Sequence, residues 1–270
     1  MPIGVFDSGL GGLTILRALK ERLPEQAFIY LGDNANTPYG TRDAYDVFDL
    51  TTKSVQILFD QGCELVILAC NTASASALHR MQVSWLIRGE QRVLGVFVPM
   101  IENLTLRDWG DNAPPTHTGL ENVAVFATRS TIESGAFPRE MKFRARDVNV
   151  IGQICDGLVD AIEAGDMTQS ATLVRAHVAA LLEKLPNPQS AVLGCTHYPM
   201  VENIFRAALP AKTKLLSQPE IVADATADYL ARHERFREVG DTQYFTTGEV
   251  DKVGPLAELF LGHPARWQKV

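Results

Sequence analysis

The sequence predicts an α/β fold made of two similar doubly wound units, each a mostly parallel sheet with helices on both faces. Short apolar runs alternate with stretches of helical periodicity in the first part of the chain. The alternation stops in a region rich in Pro, Gly, Asn and Asp, and it starts again after that region. One apolar run in each half ends in a cysteine, at Cys70 and at Cys195.

The first unit is predicted to have strands that alternate with helices, followed by a further strand. The strands are predicted at residues 3–6, 28–31, 65–69 and 92–98, and the helices at residues 13–23, 43–61 and 73–85. Short runs of consecutive apolar residues bounded by polar ones are typical of strands that are buried on both faces. We therefore expect these strands to form one parallel sheet.

The region from Glu102 to Asn122 is predicted to be a long loop that marks a domain boundary with an insertion. After it, the run from Val125 to Thr128 resembles the run from Val5 to Gly9. A duplicated unit would bring two equivalent strand ends, with their thiols, face to face across a cleft. Chance similarity between runs this short is the alternative.

The last part of the chain predicts a helix at residues 221–234, a strand at residues 243–246 and a helix at residues 254–261. Periodicity identifies these elements but does not say which unit they join. They could pack on either one.

The composition is that of a globular protein, with 46% hydrophobic, 21% charged and 8% aromatic residues. The formal net charge of −7, from 25 basic and 32 acidic residues, argues against nucleic acid as the main ligand. No apolar run approaches the ~18 residues of a membrane span, and the N-terminus lacks the pattern of a secretory signal. We therefore expect a cytoplasmic protein without a membrane partner, whose four cysteines are free thiols.

Cys70 and Cys195 are the strongest candidates for catalysis. Each follows a buried strand, and open α/β sheets bind ligands at the carboxyl ends of their strands. A helix N-terminus close to such a thiol can lower its pKa from about 8.5 toward neutrality. Two thiols placed in this way predict paired acid and base chemistry. Cys63 and Cys155 stand in no comparable polar motif and are expected to be core thiols.

A glycine-rich turn, Asp7 to Gly12, follows the first strand and opens the first helix. A dinucleotide site would need a third glycine where the chain has Thr14, although Asp33 could stand for the ribose-binding acid. The same exposed amides could instead hold a carboxylate. A tight turn without a ligand is the remaining interpretation.

Two further motifs leave alternatives open. Pro38-Tyr39-Gly40 is a structural turn or a ligand contact. His197 stands two residues after Cys195, which is typical of a thiolate and imidazolium pair. A Cys-x-His pair could also bind zinc, but no second pair at ligand spacing completes a site with four ligands, so no metal is expected.

Four motifs in this order resemble those of the aspartate/glutamate racemase superfamily. They are Asp7-Ser8-Gly9-x-Gly11-Gly12-Leu13, Pro38-Tyr39-Gly40, Cys70-Asn71-Thr72 and Gly194-Cys195-Thr196-His197-Tyr198-Pro199, with a further likeness at Thr246-Thr247-Gly248-Glu249. The resemblance implies a racemase that needs no cofactor and uses two bases, with two α/β domains and the active site between them. It also implies a homodimer that converts L-glutamate to D-glutamate for peptidoglycan synthesis.

Carried to this chain, the resemblance implies that Cys70 takes the α-proton from D-glutamate and that Cys195 takes it from L-glutamate. Asp7 would assist Cys70, and His197 would assist Cys195. Glu163 would be a further acid near the second cysteine. The substrate-binding positions that the resemblance implies are Asp7, Ser8, Tyr39, Gly40, Asn71, Thr72, Thr128, Thr196 and His197.

The resemblance also implies that the C-terminal segment returns to the first domain. The domains would then be residues 1–98 with 208–270, and residues 99–207. Within the second domain, Ala127 and Ser130 stand where glycines are usual, which puts close backbone approach to the substrate in question. Asp156 replaces a common proline, and the loop of residues 102–122 is longer than usual, which would affect the hinge or a dimer contact.

Racemisation by two thiols needs one base on each side of the α-carbon, one as thiolate while the other is a thiol. Hydrogen-bond donors around the substrate carboxylate would stabilise the carbanion. Racemisation of aspartate or of a related amino acid is the nearest alternative. A thiol hydrolase that uses Cys195 with His197 and an amino-acid-binding regulator are alternatives of other classes, and both leave Cys70 without a role.

Overall fold

The computed structural model describes residues 1–86, 90–108, 110–111 and 113–270. In these ranges the chain forms two parallel β-sheets, one of six strands and one of four. Helices connect the strands, so the predicted α/β class is confirmed. Within the same ranges, no helix is both long and apolar enough to cross a membrane.

The first sheet and its helices form what we call the first lobe. Its strands are β1 (Ile3–Asp7), β2 (Phe28–Gly32), β3 (Leu65–Leu68), β4 (Arg92–Gly95), β9 (Gln243–Thr246) and β10 (Trp267–Lys269). Its helices are α1 (Leu13–Arg22), α2 (Ala44–Asp60), α3 (Asn71–Ser76), α4 (Leu78–Ser84), α5 (Phe97–Thr105), α11 (Gln218–Arg232) and α12 (Val250–Leu261). The strand order is β10-β9-β2-β1-β3-β4.

The second sheet and its helices form the second lobe. Its strands are β5 (Asn122–Ala127), β6 (Asn149–Ile154), β7 (Ser190–Gly194) and β8 (Lys214–Leu216). Its helices are α6 (Arg129–Glu133), α7 (Ala136–Lys142), α8 (Leu158–Glu163), α9 (Met167–Lys184) and α10 (Glu202–Ala208). The order β6-β5-β7-β8 repeats the order β2-β1-β3-β4 of the first lobe. The ends of β3 and β7 therefore hold equivalent places in the two lobes.

Buried strands and capped helices explain why these residues fold in this way. Every residue of β1, β2, β3 and β7 is buried, as expected of strands covered by helices on both faces. Helix α2 begins after Asp43, whose carboxylate accepts the backbone N–H groups of Tyr45 and Asp46 at 2.9 and 3.0 Å. The face of α2 that includes Val47 and Val55 then packs into the core.

Two elements differ from the sequence prediction. The single helix predicted at residues 73–85 is two helices, because Ala77 has a φ of −109° and ends α3 before α4 begins. The strand predicted at residues 92–98 ends at Gly95, and Glu102 lies in α5 rather than in the loop. The apolar run at residues 92–98 begins in β4 and continues onto the buried face of α5. Over so short a run, periodicity does not distinguish a buried strand from a buried helix face. Residues 109 and 112 of the predicted loop lie outside the described residues.

The second lobe is inserted into the first lobe. The chain leaves the first lobe after α5, and it returns between β8 and α11, which packs against α1 and α5. Strand β8 pairs with β7, so the second sheet extends to Leu216, past the predicted boundary at residue 207. The C-terminal segment contributes β9 to the first sheet, where it pairs with β2.

Candidate active site

A cavity lies between the two lobes at the carboxyl ends of their strands. The predicted site residues that line it are Ser8, Tyr39, Gly40, Cys70, Asn71, Thr72, Thr128, Cys195, Thr196 and His197. Asp7 and Glu163 lie behind these residues and bond to them. Both thiols therefore line one cavity between the lobes, each at the carboxyl end of its strand.

Asp7 ends β1 and is completely buried. Its carboxylate accepts the backbone N–H of Gly9 at 2.9 Å and lies 3.4 Å from Oγ1 of Thr196 in the other lobe. Burial raises the pKa of Asp7 above its ordinary value, although the charge of His197 and two backbone N–H groups oppose the rise. A carboxyl with a raised pKa, held between both lobes, can exchange protons within the site.

Cys70 is the N-cap of α3. Its Sγ accepts the backbone N–H of Ala73 at 3.4 Å and lies 3.4 Å from Oγ of Ser8. Burial and the charge of Asp7 raise the pKa of the Cys70 thiol to about 12, although both hydrogen bonds oppose the rise. Burial and a neighbouring carboxylate therefore outweigh the lowering of the pKa that a helix N-terminus can give. Cys70 rests as a neutral thiol.

Cys195, His197 and Glu163 form a chain of interactions in the second lobe. Sγ of Cys195 lies 3.8 Å from Nδ1 of His197, and Nε2 of His197 lies 2.8 Å from Oε1 of Glu163. Burial opposes the charged form, but hydrogen bonds to Cys195 and Glu163 and their negative charges raise the pKa of His197 to about 10. The imidazole therefore rests as a cation and stabilises negative charge that develops on the Cys195 sulfur.

Three threonine hydroxyls, which we call the threonine cluster, meet across the lobe boundary. Oγ1 of Thr72 in the first lobe lies 3.0 Å from Oγ1 of Thr128 and 3.2 Å from Oγ1 of Thr131. The last two hydroxyls are 2.9 Å apart. Sequence analysis missed Thr131, although its spacing of three residues from Thr128 at a helix start puts both on one face. Hydroxyls arranged in this way can donate to a bound carboxylate.

The hydroxyl of Tyr39 is bonded to a carboxylate that does not line the cavity. It donates to Oδ2 of Asp33 at 2.6 Å, and the same carboxylate accepts the Thr247 hydroxyl at 2.6 Å. Burial and the charge of Asp33 raise the pKa of Tyr39. Asp33 thus fixes the loop that carries Tyr39 and Gly40, so only the backbone and ring of Tyr39 are available to a ligand. The carboxylate of Asp33 is taken by protein donors, which disfavours the ribose-binding interpretation.

The loop that carries Gly40 is fastened to the second lobe by Ser130. The backbone N–H of Ser130 donates to the carbonyl of Gly40 at 2.9 Å, and its hydroxyl donates to the carbonyl of Arg42 at 3.0 Å. A Cβ on Gly40 would lie 2.9 Å from Cβ of Thr128. The serine that departs from the family pattern therefore joins the lobes at the cavity mouth, where Arg129 and Asp156 form an ion pair.

Gly11 packs tightly against the second lobe at the site. A Cβ at Gly11 would lie 2.3 Å from Oγ1 of Thr196 and 2.5 Å from Nδ1 of His197. Only glycine fits where the turn after β1 meets these two residues of the second lobe. The glycine-rich turn thus serves lobe packing, and it holds Asp7 through Gly9.

Cys63, Cys155 and the side-chain amide of Asn71 are also buried. All four cysteines are free and buried. Cys63 is a core residue as predicted, whereas Cys155 is buried and also lines the cavity. The carboxamide of Asn71 bonds to that of Gln218, a residue that no sequence motif indicated.

Among the described residues, no group of three or more His, Cys, Asp or Glu side chains could hold a metal ion.

The sequence matches the Asp/Glu/Hydantoin racemase family over residues 12–226. It is 55% identical to the glutamate racemase of Jannaschia sp. (strain CCS1) over 270 residues, which cover 100% of both chains.

Solved structures give the same likeness. Glutamate racemase isoform RacE1 from Bacillus anthracis superposes with a TM-score of 0.86 at 26% identity, covering 100% of this chain and 97% of the other. Glutamate racemase from Francisella tularensis in complex with D-glutamate superposes with a TM-score of 0.85, also at 26% identity and with the same coverage of both chains.

Proposed function

This chain belongs to the Asp/Glu/Hydantoin racemase family and racemises glutamate, and we propose that it does so with two thiols that act on opposite faces of the α-carbon. One observation carries the proposal. Cys70 from the first lobe and Cys195 from the second lobe line the same cavity, and each has its own supporting group. A hydrolase or a binding protein would need no such pair.

In the proposed reaction each thiol acts as a base in one direction and as an acid in the other. With L-glutamate, the Cys195 thiolate removes the α-proton, and the Cys70 thiol gives its own proton to the opposite face of the carbanion. With D-glutamate, the Cys70 thiolate removes the α-proton and the Cys195 thiol donates. Each turnover leaves the two sulfurs in exchanged protonation states, so protons must redistribute before the same enantiomer reacts again.

The resting charges in the cavity favour L-glutamate as the first reactant. The raised pKa of Cys70 keeps that thiol protonated and ready to donate. The cationic His197 beside Cys195 stabilises the thiolate that abstracts the proton of L-glutamate. This is the direction that makes D-glutamate, which the family resemblance connects with peptidoglycan synthesis in the cytoplasm by a homodimeric enzyme.

The carbanion needs stabilisation from hydrogen-bond donors that are already in place. We assign this role to Thr72 and Thr128 of the threonine cluster, because their side chains line the same cavity as the two sulfurs. In a cavity that excludes water, each oriented donor of this kind contributes about 10²- to 10³-fold to the rate.

Glu163→Gln is expected to move the alkaline limit of activity toward lower pH. The Glu163 charge helps to raise the pKa of His197 to about 10, so its removal lowers that pKa and the imidazolium is lost at a lower pH. The pH profile of kcat/KM with L-glutamate measures the change. Glu133→Gln, on exposed Glu133 of α6, is the control and should leave the profile unchanged. An unshifted alkaline limb in Glu163→Gln would contradict the role of this acid.

Glutamate is expected to be preferred over aspartate by about 10- to 200-fold in kcat/KM. The missing methylene misplaces the distal carboxylate relative to its donors, which costs about 1 to 3 kcal/mol in a shaped site. Steady-state kinetics with both amino acids measure the ratio. Equal kcat/KM values for the two acids would contradict the assignment of glutamate.

Solvent isotope incorporation tests the two-thiol mechanism in the unmodified enzyme. In deuterium oxide at early times, deuterium should enter mainly the newly formed enantiomer and little of the recovered substrate. This follows because the base that removes the α-proton faces away from the side on which the other thiol donates. Deuterium that appears equally in substrate and product would indicate a single base that reaches both faces.

A further inference from the structure

Gln218 and Asn71 join two distant parts of the chain through a reciprocal pair of side-chain amides. Nδ2 of Asn71 donates to Oε1 of Gln218 at 2.7 Å, and Nε2 of Gln218 donates to Oδ1 of Asn71 at 2.8 Å. Both residues are buried, with exposed fractions of 3% and 1%. A flip of either carboxamide would set N–H against N–H and oxygen against oxygen, so the pair fixes the orientation of both.

The pair acts on the part of the site that holds the first thiol. Asn71 is the first residue of α3, directly after Cys70, and it lines the cavity. The pair uses one of the two amide N–H groups of Asn71 and leaves the other for a ligand. Gln218 is the first residue of α11, which follows β8 and packs on α1 and α5. The start of α3 is therefore tied to the helix where the chain re-enters the first lobe.

We propose that Gln218 is a positioning residue for the Cys70 half of the reaction. It orients the carboxamide of Asn71 so that the remaining N–H faces the substrate, and it holds the first turn of α3, which sets the position of Cys70. This inference rests on the two-thiol mechanism proposed above. The second thiol is held by His197 and Glu163 in the other lobe, so Gln218 bears on one sulfur and not on the other.

Gln218→Met is the sharpest variant, because methionine keeps the length of the side chain and removes both hydrogen bonds. The carboxamide of Asn71 can then turn, and proton transfer at Cys70 slows. We expect kcat/KM to fall by about 10- to 100-fold, the range for a misplaced donor or a small loss of alignment. The fall must be the same for both enantiomers, since they have equal free energy and the equilibrium between them cannot change.

Primary isotope effects on kcat/KM distinguish positioning from general damage. If transfer at Cys70 becomes the slowest step, the isotope effect with α-deuterated D-glutamate rises in Gln218→Met, because Cys70 breaks that bond. The isotope effect with α-deuterated L-glutamate falls, because Cys195 breaks that bond and its step no longer limits the rate. Gln218→Glu keeps the acceptor for Nδ2 of Asn71 and should give an intermediate change. If Gln218→Met does not fold, the same isotope effects are measured with Gln218→Glu instead.

Gln26→Met is the matched control. Gln26 is also buried, and its amide also both donates and accepts. Its Nε2 donates to the carbonyls of Ala27 at 3.1 Å and Met1 at 3.5 Å, and its Oε1 accepts the N–H of Glu238 at 3.2 Å. It precedes β2, at the end of the sheet opposite the cavity. Gln26→Met should lower thermal stability to a similar degree and keep both isotope effects at their wild-type values.

Opposite changes of the two isotope effects in Gln218→Met, and none in Gln26→Met, are the expected result. The proposal is overturned if both isotope effects of Gln218→Met stay at wild-type values or move in the same direction. Failure of the mechanism itself would look different, since Cys70→Ser would then retain racemisation. The two ideas can therefore fail separately.

Discussion

Cys70→Ser and Cys195→Ser are each expected to lower the racemisation rate by about 10²- to 10⁴-fold or more, the contribution of a positioned acid or base. In the proposed mechanism, each direction of the reaction uses one sulfur as base and the other as acid, so the loss of either sulfur impairs both directions. A serine hydroxyl has a pKa far above that of a thiol and cannot replace it near neutral pH. Circular dichroism or a coupled assay follows the interconversion of the enantiomers.

The two serine variants should differ in the exchange that remains. Cys195→Ser retains Cys70 and should still exchange the α-proton of D-glutamate with solvent deuterium, slowly and without inversion. Cys70→Ser should do the same with L-glutamate, and proton NMR of the recovered amino acid measures both. Cys63→Ser changes a buried core cysteine and should racemise normally. Racemisation near the wild-type rate in Cys70→Ser would leave Cys195 and His197 as a lone catalytic unit.

Gly11→Ala is expected to lower kcat/KM by about 100-fold while each lobe keeps its fold. The added methyl would lie 2.3 Å from Oγ1 of Thr196 and 2.5 Å from Nδ1 of His197, so these two side chains or the lobe that carries them must shift. A displacement of about 1 Å in a catalytic constellation costs on the order of 10²-fold. Steady-state kinetics measure the loss, and thermal unfolding reports whether the fold remains.

Gly254→Ala is the matched control for that substitution. Gly254 lies inside α12, and a Cβ there meets only a side-chain atom of Trp267 at 3.8 Å, an ordinary contact. Alanine in a helix interior is more favourable than glycine by about 1 kcal/mol, but a Cβ directly before Pro255 is disfavoured in a helix. This variant should therefore keep close to wild-type stability and full activity. Normal kinetics in Gly11→Ala would show that the lobes do not need this close contact.

Local sequence patterns predicted the elements that place the two thiols. Apolar runs that end at Cys70 and Cys195 located β3 and β7, because a strand buried on both faces needs an unbroken apolar run. The strand at residues 243–246 was predicted with the bounds that the structure has. Which lobe it joins depends on pairing with β2, a contact that periodicity along the chain does not encode.

The parts of the site that escaped prediction depend on contacts between distant residues. The pKa of Cys70 is set by burial and by Asp7, which the fold brings next to it. Asn71 belongs to a motif, but its partner Gln218 lies 147 positions further along the chain and stands in none. The break between α3 and α4 depends on the φ angle of Ala77, whereas the sequence pattern around it is that of one continuous helix.

The two lobes share a strand order, and in the proposed reaction they correspond to the two faces of the carbanion. L- and D-glutamate are mirror images across the plane of the carbanion, and in the proposed reaction each lobe would present one sulfur to one side of that plane. The groups behind the sulfurs are not mirror images, since Asp7 stands behind Cys70 whereas His197 and Glu163 stand behind Cys195. The two lobes thus share a strand order but place different groups behind their sulfurs. The KM values for the two enantiomers can therefore differ, although the equilibrium mixture must contain equal amounts of both.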